Sequence, residues 1–104
     1  MQLFQGDIPI IKIEKEDKQV KYTKITSPLV VAEGESTGNR HLLVAEKGSD
    51  VEIAKDERGY FLKVNSGQAT ITHEEHKPIT IENGLYFVGE QVEYDELNER
   101  RVRD

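Results

Sequence analysis

His73 and His76 bracket two glutamates in the stretch Thr72-His73-Glu74-Glu75-His76-Lys77-Pro78-Ile79, and a third histidine, His41, follows a polar loop bounded by glycines. Neutral imidazole is both a metal ligand and a proton acceptor near neutral pH. Three imidazoles at one point, completed by a carboxylate from Glu74 or Glu90, would make a nitrogen and oxygen site suited to zinc, iron, nickel or manganese. The same imidazoles, joined by Arg40 and Gln91, would instead suit a metal-free pocket for a small anion or nucleotide. A plain structural reading stands beside both: His73 as a satisfied inward histidine, His76 as an exposed loop residue and His41 as a strand-end residue. Spacing does not choose among them. His-Glu-Glu-His is not the helical zinc-protease motif, which needs its histidines four apart.

What must bring these rings together is a bend. On one continuous strand His73 and His76 would face opposite sides. Pro78 biases Lys77 toward extended geometry, and Glu74-Glu75 is poor strand material. The stretch 74–77 therefore reads as a corner that can turn both imidazoles toward one mouth, with His41 starting a strand at the same end.

The surrounding chain reads as strands and turns. Ile8-Pro9-Ile10-Ile11-Lys12-Ile13 is rich in β-branched residues, and Pro9 places it at a sheet edge or near a strand start. Residues 1–7 read as a lead-in. Gln19 to Thr26 alternates Val20 and Tyr22 against Lys21 and Thr23, the period of a half-buried strand, and would pair with 8–13 as a first hairpin. Leu29 to Ala32 is fully apolar, and 33–40 is a polar loop of the kind that often carries function. Runs at 41–45, 51–55, 60–64, 68–73, 79–81 and 85–88 follow, the last continuing through Glu90 and Gln91 to Tyr94. Asn83-Gly84 carries the strongest hairpin signal, since both residues accept positive φ. Residues 96–104 read as a charged tail or a single helical turn. The expectation is one all-β domain over 1–104, a small antiparallel sandwich or barrel of about nine short strands with turns at roughly 8–12 residue spacing.

Composition narrows the function. The chain has 104 residues and no cysteine, so neither disulfides nor thiolate chemistry enters. Lysine and arginine total 14 against 20 acidic residues, a net charge of −6, which opposes binding to nucleic-acid phosphates. The N-terminus has no signal-peptide pattern and no apolar run is long enough to span a bilayer, so the expectation is a cytoplasmic protein that engages neither nucleic acid nor membrane. No serine sits in a nucleophile elbow, and no pair of carboxylates is placed for glycosidase chemistry.

Two resemblances accompany these residues. Gly38-Asn39-Arg40-His41, a later histidine, and Pro78 with Gly84-x-Tyr86 distantly resemble the cupin pattern. That resemblance implies a double-stranded β-helix with a divalent metal on His41, His73 and His76. The run His73-Glu74-Glu75-His76-Lys77-Pro78-Ile79, with Gly84 to Val88 and Gln91-Val92-Glu93-Tyr94-Asp95, also resembles small uncharacterised bacterial and phage proteins, which implies no activity. Without a complete catalytic set, the expected function is a non-catalytic β-domain acting by self-association or by binding a protein partner. A homo-oligomer is the natural form, because small open sheets leave edges to cover. The cupin-like metalloprotein is the alternative.

Overall fold

A computed structural model describes residues 2–6, 8–15, 19–33 and 40–89. The described residues form ten strands in two antiparallel sheets, a sandwich. The larger sheet contains β1 (Gln2–Gln5), β2 (Ile8–Ile13), β10 (Gly84–Gly89), β7 (Gly59–Ser66), β6 (Asp50–Asp56) and β3 (Thr23–Lys24), in that order across it. The smaller sheet runs β4 (Leu29–Glu33), β5 (Arg40–Ala45), β8 (Ala69–His73), β9 (His76–Ile81).

Strand alternation builds the core. Ile8 and Ile10 of β2, Leu62 and Val64 of β7, and Tyr86 and Val88 of β10 face inward and meet Leu43, Ala69, Ile71 and Ile81 of the smaller sheet. The other face of the larger sheet is apolar as well: Ile11, Ile13, Ala54, Phe61 and Phe87 form a second buried cluster. Continuous apolar runs such as Ile10-Ile11 and Phe61-Leu62 reflect strands covered on both faces. Val20 and Tyr22 pack on this outer cluster, and the Lys63 ammonium lies 5.4 Å from the Tyr22 ring.

Several expectations change. Residues 2–5 are not a lead-in but an edge strand, with Gln2↔Ile11 through Gln5↔Ile8 in register. The first hairpin is therefore β1–β2, and β2 pairs with β10 on its other side rather than with 19–26. Of 19–26, Thr23 and Lys24 alone form strand; the alternation there marks a segment laid over the outer cluster. Asn83-Gly84 does not close a hairpin, because β9 and β10 belong to different sheets. Gly84 takes positive φ (146°) and Asn83 does not, so that link is a crossing between layers. Pro9 sits inside the sheet near the start of β2, just beyond Ile10↔Val88, the last β2–β10 pair, where its missing donor breaks no bond. The tail 96–104 and the expected strand at 92–94 lie outside the described residues.

Phe61 and Phe87 meet edge to face at 5.1 Å and carry the outer cluster. Phe87→Ala is expected to lower unfolding free energy by about 3–5 kcal/mol in urea titrations. A loss under about 1 kcal/mol would mean that the outer face is not closed as described.

Candidate functional site

The bend before Pro78 is a hairpin. Glu74 and Glu75 form the turn, and His73 and His76 are direct cross-strand partners. Opposed residues of an antiparallel pair share a face. This resolves the three-residue spacing, which on one strand would have separated the two rings. No described non-glycine residue has positive φ, so the turn is not the mirror-image type that two-residue hairpins favour. The register slips between Ile71↔Ile79 and His73↔His76, with one extra residue on β9 beside Pro78. Proline is tolerated there because β9 is an edge strand.

His41 joins the same row. Leu42 pairs with Thr72, so His41 stands opposite His73 on the inner face. The ring centroids step from His41 to His73 by 4.4 Å and from His73 to His76 by 4.7 Å, with interplanar angles of 37° and 41°. Burial falls along the row: His41 is 2% exposed, His73 half-buried and His76 exposed. The row forms the end layer of the core, one pleat beyond Leu43, Ile71 and Ile79.

The residue that organises this layer is Gln5, 1% exposed and contributed by the opposite sheet. Its Nε2 donates to the carbonyls of Ile71 (2.8 Å) and Lys77 (2.9 Å), which flank the slip in the β8–β9 ladder. Two carbonyls can only accept, so the amide orientation is fixed. Oε1 then faces Nδ1 of His41 at 2.8 Å, and that nitrogen must carry the proton. In His73 the polarity is opposite: Nδ1 accepts from the Glu75 backbone N–H at 3.1 Å, so the proton of the neutral ring is on Nε2. Gly6 follows Gln5 at φ 64°, and a Cβ there would stand 2.7 Å from Nε2 of His76. The ring of His76 thus closes over the β1–β2 turn.

The three histidines expected to share a site do lie together, as a row of rings tilted against one another. Among the described residues no three His, Asp or Glu side chains form a group able to hold a metal ion. Glu74 is exposed in the turn. Arg40 is exposed and, as the neighbour of inward His41, belongs to the opposite face of β5. Gln91 and Glu90 lie outside the described residues, as does the loop 34–39. Two surface clefts are separate from the imidazole row. One, of about 800 Å³, opens at the far end of the sandwich between β1 and β9, where Leu3, Lys12, Ile81 and Tyr86 line it. Burial pushes the Tyr86 phenol above the usual tyrosine range, and its hydroxyl donates to the Glu82 carbonyl at 2.9 Å. The other, of about 410 Å³, lies against β4 and the β6–β7 turn, where Arg58 and Asp56 pair at 2.7 Å.

Sequence reasoning missed Gln5 and Gly6. The usable signal was the uncharged run Gln2 to Gln5 before a glycine, which fits a short strand and its turn.

The family model described as Domain of unknown function (DUF8820) matches residues 4–91, and the chain belongs to that family. No curated protein and no solved structure matches the chain.

Gln5→Leu is expected to cost on the order of 3 kcal/mol in urea titrations, because two carbonyls and one imidazole N–H lose a buried partner. Gln5→Glu should cost more at pH 7, since a carboxylate would face two carbonyl oxygens. Its folded form favours the protonated acid, so that extra cost should shrink as pH falls. Equal stability of the Glu variant and the native chain at pH 7 would contradict the assigned amide orientation.

Proposed function

We propose that this member of an uncharacterised family is a non-catalytic β-sandwich that acts by self-association through the outer edge of β1, which no other described strand pairs. The observation that carries the reading is the character of that edge. Gln2-Leu3-Phe4-Gln5 has no charge, no proline and no register slip, and leaves Leu3 37% and Phe4 52% exposed. An unpaired strand of this kind templates pairing with another chain. The other described edges carry the usual protections. β9 has Pro78 and Lys77 and an extra residue. β3 is two residues long, with Lys24 in an exposed ion pair to Asp50. β4 has a register shift between Val30 and Ala32.

Charge points the same way. A chain of net charge −6 repels its own copies over most of its surface, so an uncharged edge is where contact costs least. The polar groups that first suggest chemistry support a structural role instead. Gln5 bonds His41 and two backbone carbonyls and so holds β1 in place, while Nδ1 of His73 accepts from the Glu75 backbone within its own hairpin. A cytoplasmic setting is consistent with a fold that needs no disulfide.

Sedimentation equilibrium tests this directly. The native chain should show a mass above 11.9 kDa that rises with concentration. Phe4→Lys should sediment as a monomer while its urea midpoint stays close to native, because half-exposed positions outside the core tolerate substitution within about 0.5 kcal/mol. A native chain that stays at the monomer mass at every concentration would end the proposal.

A further inference from the structure

Resting on that reading, we infer that the partner at β1 is a second copy of this chain, joined about a two-fold axis through Leu3 so that the two larger sheets become one. The hydrogen-bond parity of the sheet leads to this register. Ile25 N–H donates to the Val51 carbonyl, which makes 25↔51, and with it Thr23↔Ile53, hydrogen-bonded positions of the β3–β6 pair. Strand residues address their two neighbours alternately, so the parity carries across the sheet. Ala54↔Phe61, then Leu62↔Tyr86, then Phe87↔Ile11 are the bonded pairs of successive ladders. Leu3↔Ile10 and Gln5↔Ile8 follow for β1–β2. Pro9 agrees independently. It has no N–H, so Phe4↔Pro9 cannot exchange two bonds.

The backbone groups of Leu3 and Gln5 are therefore turned to β2, and those of Gln2 and Phe4 point out along the edge that no other described strand pairs. An antiparallel two-fold across this edge has its axis normal to the sheet, so residues of like face must oppose each other. One register uses all four outward N–H and C=O groups inside the strand. In it Gln2 opposes Phe4 of the second copy, Phe4 opposes Gln2, and Leu3 opposes itself. The alternative, Phe4 opposite Phe4, pairs Gln2 with Gly6, which is already in the turn at positive φ. In the favoured register the inner-facing Leu3 side chains meet on the axis. Each Phe4 covers a Gln2 on the outer face. No charged residue of β1 is brought against another, because there is none.

The absence of cysteine from the chain makes the register readable. Leu3 opposite Leu3 is a non-bonded pair with Cα atoms about 4.5 Å apart, within the roughly 4.4–6.8 Å span of disulfides. Three single-cysteine variants, Leu3→Cys, Phe4→Cys and Val44→Cys, are compared under mild oxidation, with Val44 as an exposed apolar control on the other sheet. Leu3→Cys should form covalent dimer at least about ten-fold faster than either of the others, because position 3 alone meets its own copy within disulfide reach. Faster closure at Phe4→Cys would overturn the register. A native chain that sediments as a dimer while none of the three variants closes would overturn the β1 two-fold and leave self-association by another surface. A native chain that is monomeric throughout would overturn both.

Discussion

The fold depends on one buried amide. Gln5 leaves the larger sheet and ends in the smaller one, where its nitrogen serves the Ile71 and Lys77 carbonyls and its oxygen meets His41. Buried polar groups are costly unless paired, so each of these contacts is a constraint on position as well as a gain in free energy. The slip in the β8–β9 ladder sets two carbonyls where one amide nitrogen reaches both, and the short β1 strand delivers that amide. The edge strand, the slip and the imidazole row are thus parts of one arrangement.

The strand content was legible because the chain obeys simple periodicity. Val51 to Lys55 and Gln68 to His73 alternate, and turn residues punctuate them at Lys47 to Asp50 and Asp56 to Gly59. Where the reading failed, the cause was a second buried face. Val20 and Tyr22 alternate because they cover the outer cluster of the larger sheet, not because they lie in a ladder. The Asn83-Gly84 signal was misread for a related reason: local turn preference says that the chain changes direction, not which sheet it enters next. The role of Gln5 was illegible because its partners stand 36, 66 and 72 residues away.

The candidate site was legible in part. That His41, His73 and His76 come together at one end of a β-shell follows from the bend at 74–77 and the strand starting at Arg40, and the three rings do lie in one row. What spacing could not supply was ring orientation. The rings sit tilted by 37° and 41° along neighbouring strands, and among the described residues no three His, Asp or Glu side chains form the converging set that a metal needs. Arg40 was separated from the row by the same alternation that placed His41 in it. Gln5, His41 and His73 each make internal hydrogen bonds, and the exposed features of the described residues include the two clefts and the uncharged β1 edge.

The central claim, that this cluster fastens β1 to the opposite sheet, fixes the proton on each ring. Nitrogen-15 NMR of the histidine side chains at neutral pH measures it directly. The account predicts His41 as the Nδ1–H tautomer and His73 as the Nε2–H tautomer. A His41 protonated on Nε2 alone, with Nδ1 bare toward Gln5, would contradict it.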